Sequence, residues 1–180
     1  MKTILFKLFL SVIYFTCIYG MCSKKDAGLS NEAWPKTGLI MTEYDADNYY
    51  MGVRSGYAGK EKGDSDADTN PEYKWTMKQH NKGGVTITNG NGTSVYIDHI
   101  FNIATNYREY VLKTGTLNPD NDDFRFKVHK TDSGPGQGFT FYLESTSHPE
   151  YFLASDGHDG GWTGYSFHNQ TEGSHKFWLK

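Results

Sequence analysis

At 180 residues, about 160 once a leader is set aside, the chain is long enough for one domain with a real core and too short for two. Aromatic residues are 16% of the chain (13 Tyr, 11 Phe, 4 Trp) and stand beside 20 Gly, a mix that favours strands and turns. The formal charge of -3 becomes -5 when Lys2 and Lys7 leave with the leader, 16 basic against 21 acidic residues, which excludes the broad basic footprint of a nucleic-acid or heparin binder.

Residues 1–20 carry a basic start, an apolar run from Leu8 to Tyr19 and a small residue at its end, Gly20. This is the pattern of a secretory signal peptide, and it is too short for a membrane span. No later apolar run is long enough to cross a bilayer as a helix, so a secreted, extracellular product without membrane insertion is expected.

Cys17 lies in the leader, which leaves Cys22 as the one thiol of the mature chain. An internal disulfide is then excluded. A lone Cys in an oxidising compartment predicts an intermolecular Cys22 disulfide and a linked homodimer, the alternative being a thiol on a free arm. Residues 21–36 are polar and aperiodic and read as that arm.

From Thr37 to Lys180 no apolar stretch of helical spacing exceeds two turns. What recurs is short alternating or aromatic segments between Gly, Asn, Asp and Pro clusters, so the domain at 37–180 is predicted to be all-β. The segments form three rounds. Apolar strands open them at Leu39–Met41, Val95–Ile97 and Phe139–Phe141; a Tyr opens a second strand at Tyr50, Tyr110 and Tyr151; aromatic alternations close them at Tyr73–Trp75, Phe124–Phe126 and Phe177–Leu179. Closing strands lie 51 and 53 residues apart. A threefold period with about four strands per round predicts a closed repeat architecture, a β-trefoil, in which no round buries its apolar face alone. Trp75 and Trp178, in the closing alternations, are assigned to the core.

Between the rounds lie surface loops, Gly59–Pro71 and the Gly134-Pro135-Gly136 segment. Asp64, Asp66 and Asp68 begin like a calcium loop, but Thr69 stands where its glycine belongs and Trp75 where its final Glu belongs, so the loop is read as solvated acid. Asn91-Gly92-Thr93 is a glycosylation sequon in a turn, and Asn169-Gln170-Thr171 is a second near the C-terminus.

In the third round, Leu143-Glu144-Ser145 is followed by Pro149, Glu150 and Tyr151-Phe152-Leu153-Ala154-Ser155. This segment resembles the interleukin-1 family signature, and Phe124–Lys127 and Lys176–Leu179 are similar to that family's neighbouring strands. The resemblance covers residues 122–180. It implies a β-trefoil and a cytokine-like ligand or receptor-directed immunomodulator. Its residues mark the fold, a strand, a Pro-bearing turn and a second strand, and no receptor contact is carried over. Most members of that family lack a leader, whereas this chain starts with one.

Further on, Asp156, His158 and Asp159 form a Gly-rich turn with no defined ligand geometry, so neither metal nor cofactor is expected. Trp162 and Tyr165, with His158 beside them, form a candidate platform for a sugar ring or a partner's side chain; the competing assignment puts one of the two aromatic rings in the core. The seven His lack the helical pairing of a zinc site, Gly-x-Ser-x-Gly is absent, and the mature Cys is on the arm, so no enzyme is expected. The chain therefore reads as a secreted glycoprotein that works by binding a protein receptor or other extracellular protein. The alternatives are a glycan-binding lectin and, third, a protease inhibitor using Gly59–Pro71. The Gln-x-Trp triplet of ricin-type lectins is missing.

Overall fold

Short alternations bounded by turn formers pleat into strands because every second side chain finds the same core. In the computed structural model the chain divides into Met1–Glu32 and a unit at Ala33–Lys180. The residues described are 33–42, 49–62, 66–103, 106–131, 139–155, 163–169 and 176–180. The unit is an all-β single domain, and its only described helix is a 3-10 turn at Asp122–Phe124.

Among the described residues, thirteen strands fall into three consecutive runs. The first holds β1 (Lys36–Thr42), β2 (Tyr49–Arg54), β3 (Tyr57–Lys62) and β4 (Lys74–Gln79); the second β5 (Val85–Asn89), β6 (Ser94–Asn102), β7 (Tyr107–Gly115) and β8 (Phe126–Lys130). The third holds β9 (Phe139–Ser145), β10 (Phe152–Ala154), β11 (Thr163–Gly164), β12 (Ser166–His168) and β13 (Phe177–Leu179). The outer strands of each run pair into a ring, β1–β4–β5–β8–β9–β13 and back to β1, all antiparallel. The result is a closed antiparallel barrel. The inner strands form hairpins β2–β3 and β6–β7 and the pair β10–β12, which join one another through β3–β7, β7–β12 and β11–β3. Ring closure leaves the barrel strands no free edge for unwanted pairing.

Inward positions carry the apolar mass: Ile40, Trp75, Met77, Phe126, Phe141 and Phe177 are all fully buried. In β4 the alternation is plain, with Trp75 and Met77 inside and Lys74 and Lys78 outside. The indole Nε1 of Trp75 donates to the carbonyl of Met51 at 2.7 Å, so its one polar atom is satisfied inside the core. Phe177 stacks on Phe141 at 6.3 Å. Trp178 is only partly buried and packs against Leu39, Met41 and Tyr50, which corrects its assignment to the core interior.

The second round differs from its sequence reading. Val95–Ile97 lies in β6, a hairpin strand, and the barrel strand that opens this run is β5. Thr86, Thr88 and Asn89 make β5 look polar, yet Thr86 and Asn89 are buried, and Asn89 Oδ1 accepts the Asn91 and Thr93 N–H groups of the following turn. The barrel also begins earlier than Thr37: Lys36 opens β1, and Trp34 meets Phe139 edge-on at 6.4 Å. Residues 1–32, which hold the expected leader and Cys22, lie outside the described residues.

The ring closes where Leu39 and Lys180 exchange two backbone hydrogen bonds, both 3.0 Å. Gly38 sits at this seam, and a Cβ there would overlap the carbonyl oxygen of Lys180. A Gly38→Ala variant is therefore expected to push β13 outward and cost about 2 kcal/mol, a fall in Tm of about 4–8 °C in thermal unfolding.

Candidate functional site

The first two runs each carry an inner hairpin, and the two differ in length. In β2–β3 the strands have six residues and turn tightly at Ser55 and Gly56, both at positive φ (53 and 80°) as a two-residue hairpin turn requires. The β6–β7 strands have nine residues each, in register from Ser94 with Gly115 to Asn102 with Tyr107. Three extra residues carry this hairpin about 10 Å further. At its far end Phe101 is 58%, Ile103 86% and Tyr107 64% exposed, and these are the exposed large hydrophobic residues among the described ones.

The base of the hairpin is held by charge. Asp98 Oδ2 takes Lys113 Nζ at 2.8 Å, and Lys113 lies 5.7 Å from the centre of the Tyr57 ring on β3. Their shared hydrogen bond holds the Asp98 carboxyl below its ordinary range and raises the Lys113 ammonium. The long arm thus springs from a braced root.

Between β7, β12 and the turn before β10 lies an open groove of about 430 Å³, lined by Tyr107 to Tyr110, Tyr151 and Ser166 to Asn169. Phe167, opposite Tyr110 in the β7–β12 ladder, is buried beneath it. Tyr110 meets Tyr151 edge-on at 5.0 Å and the His148 ring at 4.5 Å. On the β12 side Ser166 Oγ and His168 Nε2 are 2.8 Å apart. The groove combines phenol rings, a cation and an anion in Arg108 and Glu109, a hydroxyl, an imidazole and the amide of Asn169, a lining suited to a polar ligand with an apolar face.

Glu144 positions one wall of this groove. Its carboxylate accepts Lys127 Nζ at 2.9 Å, contacts His129 Nε2 at 2.6 Å and accepts the N–H of Glu150 at 3.2 Å. Glu150 has a φ of 71°, which turns the chain between His148 and Tyr151. Burial alone would raise the Glu144 carboxyl; the bonds from Lys127, the Glu150 N–H and His129 outweigh it and bring the group below the ordinary glutamate range. A depressed folded-state value contributes stability above the ordinary range that is lost as pH falls through the folded value. Glu144→Gln is therefore expected to cost about 1–3 kcal/mol near pH 7. Between about pH 5 and 3 the variant should lose less further stability than wild type, as read by urea unfolding at each pH.

The residues singled out from sequence scatter. Asn91 is exposed in the turn after β5, and Asn169 is exposed and lines the groove. Tyr165 is 1% exposed with its ring perpendicular to Phe177 at 5.5 Å, so it belongs to the core and is removed from the proposed platform, which needs an accessible ring face. Trp162 and His158 lie outside the described residues. The loop at 59–71 is shorter than expected. Residues 59–62 belong to β3, and Asp66 accepts the Thr69 and Asn70 N–H groups in a turn that buries Ala67. Phe101, Ile103, Tyr107, Arg108 and Tyr151 were not singled out as a surface; their signal was an Ile inside an Asn-containing turn, where a polar residue is the norm.

No family model matches the chain, and no curated protein matches it. Solved structures do match. A mosquitocidal holotoxin is 16% identical with a TM-score of 0.65; the match covers 83% of this chain and 18% of that one, so this chain spans under a fifth of the holotoxin's length. The Haemophilus ducreyi cytolethal distending toxin is 15% identical, with 86% and 90% of the two chains covered and a TM-score of 0.58. A chicken interleukin-1 beta variant is 12% identical, with 82% and 96% covered and a TM-score of 0.53. At these identities the likeness concerns the fold alone.

Proposed function

We propose that this chain is a secreted, non-enzymatic β-trefoil that binds a protein partner in the manner of a cytokine-like ligand, using the tip of the β6–β7 hairpin. The trefoil reading is supported by a six-strand ring taking two strands from each of three runs, with inner pairs linked by β3–β7, β7–β12 and β11–β3. Similar folds occur in toxins and in a cytokine, so function is argued from the surface and not from the fold.

One observation carries the reading. Phe101, Ile103 and Tyr107 are exposed together on a projecting hairpin. Clustered exposed apolar side chains are costly in a free soluble protein and are typical of a contact that becomes buried on binding. A test is to apply the purified protein to immobilised receptor ectodomains and to a glycan array, alongside a hairpin-shaved variant. Saturable binding to a protein ectodomain that the variant loses supports the proposal, and binding to glycans alone overturns it.

The groove favours a second reading, saccharide recognition, because the half-buried Tyr110 and Tyr151 line it amid hydrogen-bonding groups. On that reading Tyr151→Ala abolishes glycan-array binding while leaving protein binding at the hairpin intact.

A further inference from the structure

Asn169 is at once the acceptor of a sequon and a wall residue of the groove, and it is exposed. We propose that the groove is the seat of the chain's own N-linked glycan, with the first N-acetylglucosamine residues on Asn169 lying against the tyrosine rings. The proposal rests on the secreted reading and on the saccharide reading of the groove.

The chemistry fits at each point. A pyranose ring has an apolar CH face that packs on an aromatic ring, and Tyr110 and Tyr151, with ring centres 5.0 Å apart, both line the groove. Hydroxyl and N-acetyl groups need donors and acceptors, and Arg108, Glu109, Ser166 and His168 line the same space. The volume of about 430 Å³ falls in the range of small-ligand sites. Attachment at Asn169 holds the sugar beside the groove at an effective concentration of order millimolar, so an intrinsic dissociation constant of about 0.1 mM seats it about nine-tenths of the time.

The second sequon supplies an internal reference. Asn91 stands on an exposed turn beside Gly92, where a Cβ would meet nothing within 4 Å. A glycan there projects into solvent. Occupancy of the groove also ties β12 to the far half of β7, placing a sugar beside the apolar tip that the protein partner would meet.

The experiment is native digestion of the secreted glycoprotein with a peptide N-glycosidase, following release at each Asn by mass spectrometry. Release at Asn169 is expected to be about tenfold slower than at Asn91, and Tyr107→Ala or Tyr151→Ala should bring the two rates together. Tyr107 is largely exposed, so its variant keeps the fold in play as a test. In parallel, N,N′-diacetylchitobiose is titrated against Asn169→Gln and against the intact glycoprotein. Binding to the variant alone supports self-occupancy. Equal binding to both leaves saccharide recognition standing and overturns the seated glycan. An unglycosylated Asn169, or equal release at the two sites, overturns the proposal as well.

Discussion

Trp75→Ala is expected to lower the unfolding free energy by about 4 kcal/mol. Trp75 is fully buried on β4, between β1 and β5 in the ring, and its side chain is among the largest wholly enclosed ones. Truncation leaves a void that closed neighbouring strands cannot collapse around, and it leaves the Met51 carbonyl without the indole donor. A natural domain has about 5–15 kcal/mol in all, so the variant should fold with a Tm lowered by about 8–16 °C. Trp75→Phe restores much of the volume but not the donor and should cost about 1–2 kcal/mol. Urea unfolding of the three proteins checks this, and an alanine loss below about 1 kcal/mol would contradict the packing described.

The largest functional effect is expected at the hairpin tip. Changing Phe101, Ile103 and Tyr107 together to Ser should weaken partner binding by at least about 100-fold, since a few buried aromatic and aliphatic anchors carry most of the energy of such contacts. Stability should move by no more than about 0.5 kcal/mol, because these side chains are already in water in the free protein. The two readouts must part. Loss of binding with an unchanged Tm places the contact on the hairpin, whereas retained binding sinks the proposal regardless of stability.

Much of this molecule was legible from residue order. The turn formers and alternations around Leu39–Met41, Tyr50–Val53, Phe139–Phe141 and Phe177–Leu179 mark strands where they occur, because alternation is dictated by the pleat itself. The second run was misread by one strand because β5 spends Thr86 and Asn89 inside, where hydrogen bonds to neighbouring backbone replace apolar contact. The acidic residue of the Leu143-Glu144-Ser145 segment was read as a mark of fold, and it does serve as a brace: its carboxylate fixes the turn that presents Tyr151. The groove was not legible. It draws Tyr107–Tyr110 and Tyr151 next to Ser166–Asn169 through the β7–β12 pairing, and no local pattern encodes which strands meet across a barrel. Tyr165 resolves an open pair of assignments: it was a platform candidate beside Trp162, with a core place for one of the two rings as the competing assignment, and its N–H bonds to the Ala58 carbonyl while its ring packs edge-on against Phe177.

The seam between β1 and β13 has a consequence for how the protein is made. On the ribosome β1 emerges first among the barrel strands and its partner β13 last, so the ring stays open while the chain between them is synthesised, on the order of 10 s. During that interval β1 and β9 lack the neighbour that later covers them, and the nascent chain offers pairing edges to other nascent chains. Closure is a late, long-range event, and long-range strand pairing is slow to form. Products that stop before residue 177 would keep those edges permanently, which makes them natural targets for quality control in the cell that synthesises the protein.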